Sequence, residues 1–112
     1  MKFQVIISET AAADLFNLYH YISSQESSAR ANHVLERLQA TCASLYTFPN
    51  RGSHPKEMIL IGIKQYREII SQPYRIIYRV ENDKVKVFVV MVVDGRRDMQ
   101  ALFHQRLLGK SD

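Results

Sequence analysis

Five arginines, Arg67, Arg75, Arg79, Arg96 and Arg97, lie within one stretch, residues 66–98, that reads YREIISQPYRIIYRVENDKVKVFVVMVVDGRRD. A guanidinium carries its N–H donors in one plane, stays protonated at any cellular pH, and can hold a phosphate or carboxylate through two parallel bonds. Gathered on one rigid sheet, such groups would bind a phosphodiester or an acidic protein. Arg79 reads as an ion-pair residue, with Glu81 or Glu68 as partner. Arg75 and the Arg96-Arg97 pair read as the functional groups, against the plainer alternative that Arg97 pairs with Asp94 or Asp98.

No standard catalytic pattern accompanies them. The sequence has no Gly-rich phosphate loop, no Gly-x-Ser-x-Gly elbow and no His-Glu-x-x-His. His20, His33, His54 and His104 are scattered without ligand spacing, so neither a metal nor a cofactor is expected. The one cysteine, Cys42, sits in a helical apolar pattern and reads as a buried, inert thiol.

The elements that must carry the arginines follow from periodicity. Residues 66–98 alternate β-branched and aromatic residues with charged ones and break at Gln72-Pro73 and Asn82-Asp83, which predicts a three-stranded antiparallel meander. A two-residue turn at Asn82-Asp83 would oppose Glu81 to Lys84, Val80 to Val85, Tyr78 to Val87, Ile76 to Val89 and Tyr74 to Met91. One face would then be wholly apolar. The other, bearing Arg75, Ile77, Arg79, Lys86, Phe88, Val90 and Val92, would be the working surface, because charges are seldom fully buried unless paired. Whether Arg67 or Glu68 shares the face of Arg75 depends on whether the turn at Ser71-Gln72-Pro73 has three residues or two.

Upstream, Lys2 to Ile7 predicts a strand that pairs with the meander. Ser8 predicts the N-cap of a helix reaching about Ser23, with Ala12, Leu15, Tyr19 and Ile22 on one face. A second helix from Ser27 or Ser28 to about Tyr46 presents Ala31, Val34, Leu35, Leu38, Cys42 and Leu45. The short polar connector makes the two an antiparallel hairpin lying across the apolar face of the sheet. The segment to Ile63 shows no clear period, although Met58 to Ile63 is apolar enough to be tucked under something. Asp98 predicts the N-cap of a closing helix with Met99, Leu102, Phe103, Arg106 and Leu107 at helical spacing, ending at Gly109. The expected order is β-α-α-β-β-β-α, an α+β fold with helices on one side of an antiparallel sheet.

At 112 residues, 46% hydrophobic and 23% charged, the composition is that of one soluble globular domain. The formal charge of +4 permits an acidic or nucleic-acid partner without requiring one. The N-terminal apolar run is too short for a signal peptide, and no run approaches the ~20 residues that cross a bilayer, so the expectation is a cytoplasmic protein with no membrane partner.

The same residues carry a resemblance. Tyr74-Arg75-Ile76-Ile77-Tyr78-Arg79-Val80, then Val89-Val90-Met91-Val92-Val93-Asp94-Gly95-Arg96-Arg97-Asp98, resembles the signature of the RelE/ParE superfamily of type II toxin-antitoxin toxins. Ala12-Ala13-Asp14-Leu15, Leu45-x-x-x-Pro49-x-x-Gly52, and Gly62 ahead of Tyr66-Arg67-Glu68-Ile69 extend it over nearly the whole chain. The resemblance implies a small basic toxin neutralised by a cognate antitoxin whose acidic, amphipathic segment covers Met99, Leu102 and Phe103.

Within the superfamily, RelE-like members cleave mRNA on the ribosome without metal and ParE-like members poison DNA gyrase. Arg75 matches the strand arginine that RelE-like nucleases place on the scissile phosphate. Their preceding lysine pair is not matched by Arg67, Glu68 and Ile69, and no Tyr or His lies in the last strand and helix apart from His104. The Gly95-Arg96-Arg97-Asp98 ending is similar to ParE-like chains, with Asp94 where those have a histidine. The implied function is therefore a gyrase toxin whose target-binding set is Arg75, Arg96, Arg97 and Arg67. Arg96 and Arg97 would meet the target or DNA and Arg75 would position or structurally support them, so that Arg75→Ala spares the fold while reducing toxicity. The alternatives are a ribosome-dependent endoribonuclease using Arg75, Arg67 and Arg97, and a non-toxic antitoxin-binding member, to which Asp94 would point.

Overall fold

The computed structural model describes residues 2–108. Strand β1 (Gln4–Ile7) leads into helices α1 (Glu9–Gln25) and α2 (Ser28–Ala43), and α2 ends in a 3-10 turn over Ser44–Tyr46. A short helix, α3 (Lys56–Ile59), precedes strands β2 (Arg67–Ser71), β3 (Tyr74–Glu81) and β4 (Lys86–Asp94). Helix α4 (Met99–Phe103) continues as a wider π-type turn over His104–Leu108, and the expected end at Gly109 lies outside the described residues. Each longer helix begins where a side chain can accept an orphan N–H. Ser8 Oγ accepts from Ala11 N at 3.1 Å, Ser27 Oγ from Arg30 N at 3.0 Å, and Asp98 Oδ1 caps α4 from Ala101 N at 3.1 Å.

The strand order is β1-β4-β3-β2, and β1 runs parallel to β4. The sheet is thus mixed rather than antiparallel, because the chain crosses back over the sheet through the helices before β4 is laid down beside β1. Between β2 and β3, Ser71 opposes Tyr74, so the turn has two residues; Glu68 opposes Ile77 and shares the face of Arg75, while Arg67 opposes Tyr78.

Two departures reshape the expected β3–β4 register. Glu81 opposes Lys86, so the turn spans Asn82 to Val85 and not Asn82-Asp83 alone. It closes with Val85 at φ 55°, a left-handed conformation costly for a β-branched residue. A shift of two leaves the alternation of faces intact, but a bulge then leaves Val90 without a partner between Tyr78↔Val89 and Ile77↔Met91. Beyond it Ile76 opposes Val92, so Val92 faces the helical hairpin and Met91 the opposite side, the reverse of the simple alternation.

Both faces are consequently covered. On the hairpin side Leu15, Val34, Leu38 and Leu45 pack on Ile76, Tyr78, Val87, Val89 and Val92. On the far side Met58, Tyr66, Ile77, Met91, Val93, Met99 and Phe103 form a second core under α3 and α4. The expected open working surface is in large part this second core: an isoleucine between arginines is buried because the apolar stripe of the closing helix needs a face to lie on. In the aperiodic segment Met58 is fully buried, whereas Leu60 and Ile61 are 77% and 54% exposed, so only part of it is tucked in. No helix among the described residues is long and apolar enough to cross a membrane.

Leu38 and Leu45 are both wholly buried. Truncating either to alanine should lower stability by about 2–5 kcal/mol, read as a lower urea midpoint with an unchanged denaturant slope.

Candidate functional site

Arg75 enters β3 opposite Val93, and its stem runs along Gly95, where a Cβ would come within 2.8 Å of Cδ and 2.9 Å of Cγ. Glycine at 95 is what lets the stem lie there. The guanidinium is held by two carboxylates: Nε donates to Glu68 Oε1 at 2.7 Å, and Nη1 and Nη2 donate to Glu57 Oε2 and Oε1 at 3.0 and 2.8 Å. Its plane also lies 5.5 Å from the Phe103 ring centroid. The three charged side chains are 13–17% exposed, so the grip is mostly out of water. The hydrogen bonds from Arg75 hold the Glu57 carboxyl below the usual range, and those from Glu57 raise Arg75 further. Two carboxylates around one guanidinium leave a net negative charge.

The other guanidiniums do not join it. Arg67 turns to the opposite face and ties down the loop after α2, donating to Gly52 O at 2.7 Å and Asn50 O at 3.3 Å. Arg79 pairs with Glu81 and lies 4.4 Å over the Phe88 ring. Arg96 forks onto Asp94, with Nε 2.9 Å from Oδ1, yet its side chain is 76% exposed. This bond lowers the Asp94 carboxyl. Arg97 is exposed, and among the described residues its side chain has no carboxylate partner. The expected single basic cluster is therefore dispersed, because the two-residue β2–β3 turn sends Arg67 to the hairpin face and the length of β3 separates Arg79 from Arg75.

Arg75 and Arg96 do meet His54, Lys56 and Glu68 around a depression of about 470 Å³ beside the β2–β3 turn. His54 Nδ1 lies 2.9 Å from Tyr66 O, so that nitrogen carries the proton. No group of three or more metal-ligating side chains occurs among the described residues. Burial pushes the Cys42 thiol up to about 11, leaving it inert.

Of the apolar residues assigned to a partner, Met99 and Phe103 are 4% and 2% exposed and belong to the second core, leaving only Leu102 half-buried. They are not a surface awaiting cover. An apolar groove of about 800 Å³ lies elsewhere, between β1 and the helical hairpin, walled by Val5, Ile7, Leu15, Tyr19 and Leu35 with Phe16 at its rim. Sequence reasoning placed these side chains in the core or passed over them. Phe16, off the helix's apolar stripe and 63% exposed, was the available signal. Glu57 was missed because a carboxylate in an aperiodic loop gives no hint of its partner.

Arg75→Ala would leave Glu57 and Glu68 facing each other with little water, which should cost about 2 kcal/mol or more near neutral pH, so the expectation that the fold is spared is reversed. The folded pKa of Glu57 lies below its unfolded value. Its contribution is therefore present above the unfolded carboxylate pKa and lost as pH falls through the folded one. Melting temperatures across pH 3–7 should show the wild type falling on acidification and the gap to Arg75→Ala narrowing.

The family described as "ParE toxin of type II toxin-antitoxin system, parDE" matches residues 5–99. The fold is similar to the chromosomal ParDE toxin-antitoxin system from P. aeruginosa (TM-score 0.69, 15% identity, 83% of this chain and 96% of that chain). It is also similar to an arginine double mutant of the E. coli toxin RelE in the free state (TM-score 0.66, 17% identity, 99% and 100%) and to the intact E. coli RelBE toxin-antitoxin complex (TM-score 0.58, 22% identity, 85% and 99%). No curated protein matches. The matched residues take in the helical hairpin and the whole β2–β4 meander with Arg75, Arg96 and Arg97, and on that match the chain belongs to the ParE toxin family of type II toxin-antitoxin systems.

Proposed function

We propose that this toxin acts on DNA gyrase and is neutralised by an antitoxin that fills the groove beside the helical hairpin. The observation that carries the target is the state of Arg75. A nuclease of the RelE kind needs that guanidinium open to a phosphate, whereas here it is saturated by Glu57 and Glu68 and the surplus carboxylate repels an anion. Arg96 and Arg97, at the exposed turn between β4 and α4, are the groups left to meet a target.

A ribosome-dependent endoribonuclease is the second reading. It is favoured by the depression that brings His54, Lys56 and Arg96 beside Arg75, where a proton acceptor and cations stand together. It requires Glu57 to give way first. Metal-free cleavage would show as codon-positioned stops in primer extension on translated mRNA, and their absence rejects this reading.

For the partner, comparison structures include toxin-antitoxin complexes. The groove walled by Val5, Leu15 and Leu35 offers apolar area to an amphipathic segment, and the +4 charge of the chain favours an acidic one.

Purified toxin should inhibit gyrase supercoiling, and Arg97→Ala should weaken inhibition about tenfold or more; unchanged supercoiling at saturating toxin removes the gyrase reading. Phe16→Asp should leave the melting temperature within a few degrees and raise the antitoxin Kd at least tenfold, about 1.4 kcal/mol, by calorimetry with the cognate antitoxin. An unchanged Kd moves the antitoxin off this groove.

A further inference from the structure

We infer that the end of the molecule around the β2–β3 turn is a binding surface for the backbone of duplex DNA, built by Arg30 and Arg37 of α2 on one side of the turn and by Lys56 and Arg96 on the other. Gln72, in the turn, borders two adjoining depressions. Arg30, Arg37 and Tyr74 line one, and Lys56, His54 and Arg96 line the other. The cations thus form a band across one end of the fold, although they come from α2, the α3 segment and the end of β4.

Their charge is largely available. Arg30 has only Glu26 at 3.8 Å, with the two side chains 50% and 60% exposed, a pair worth little in water. Among the described residues Arg37 and Lys56 have no carboxylate within ion-pair distance, and Arg96, though bonded to Asp94, stays 76% exposed. Arg30 and Arg37 stand about two helical turns apart, ~10 Å along the same side of α2, too far apart to close on one phosphate.

The floor decides what kind of anion fits. Below the rim, the fork of Arg75 is taken up by Glu57 and Glu68, so a lone phosphate entering the depression meets a guanidinium already claimed. A polyanion lying across the rim does not. Single strands are held chiefly by stacking on exposed aromatic rings. Tyr74 is the one aromatic lining the band and is half-buried, whereas the exposed Phe16, Tyr21, Tyr46 and Phe48 line neither depression. Cations without an exposed stacking platform match the backbone of a duplex. The inference rests on the gyrase reading for its setting, since a toxin working on a topoisomerase meets duplex DNA there.

The test is fluorescence anisotropy of the intact toxin with a short labelled duplex and no gyrase, from about 50 to 200 mM salt. Binding should weaken steeply with salt. The double variant Arg30→Gln with Arg37→Gln should flatten the slope of log K against log salt by about 2 and bind several-fold more weakly at low salt, with an unchanged melting temperature. Lys84→Gln, in the turn at the opposite end of β3, should change neither. Absence of binding at low salt, an equal slope in the double variant, equal loss in Lys84→Gln, or tighter binding of a single strand overturns the inference. Supercoiling is read separately: a toxin that binds duplex through this band and leaves supercoiling untouched sinks the gyrase reading and keeps the band. Inhibition of supercoiling without DNA binding does the reverse.

Discussion

Val90 has no partner on β3, and what that extra residue does to the backbone on either side of it governs how the layers meet. β1 stops at Ile7, opposite Val89, so the edge of β4 beyond it lacks a neighbouring strand. Side chains supply the missing bonds. Thr10 Oγ1 and Arg106 Nη2 donate to Val90 O at 3.3 and 3.2 Å, and Val92 N donates to Asp14 Oδ2 at 3.0 Å. Arg106 then closes the circuit by forking onto Asp14 with two 3.1 Å bonds. One irregularity in one strand thereby fixes where α1 and the C-terminal turn sit, and it turns Met91 and Val93 toward the second core.

Much of the fold was legible because its signals are local. Ser8, Ser27 and Asp98 announce helix starts, and the apolar spacing of Leu15, Val34, Leu38 and Leu45 gives the hairpin its face. The bulge was not legible, since Val87 to Val93 is an unbroken apolar run in which either face looks equally buried. The parallel pairing of β1 and the short helix α3 were missed for a related reason: a four-residue element carries too few residues to show a period.

The candidate site was legible in its residue types and not in its geometry. Pattern alone picked out Arg75, Arg96 and Arg97 but could not show that Glu57, eighteen positions before Arg75, reaches back to grip it. The result is a division of labour among arginines of similar appearance. Arg75 clasps α3 to the sheet, Arg67 staples the loop at Gly52, Arg106 anchors the C-terminal turn, and Arg96 and Arg97 remain outward. Gly52 shows the same economy of space. A side chain there would strike Glu68 O and the Tyr78 hydroxyl, which accepts the Gly52 N–H at 3.0 Å in the buried core.

The pairing of β1 with β4 joins Gln4 to Lys86, the two ends of a crossover that takes in both long helices and the rest of the meander. A ribosome must therefore release most of the chain before its first strand has anywhere to dock, and contacts so distant in sequence form slowly compared with helical turns. Truncated translation products lack a completed sheet. A cell that makes this chain meets it as a finished molecule, after an interval in which a binding partner can already be waiting.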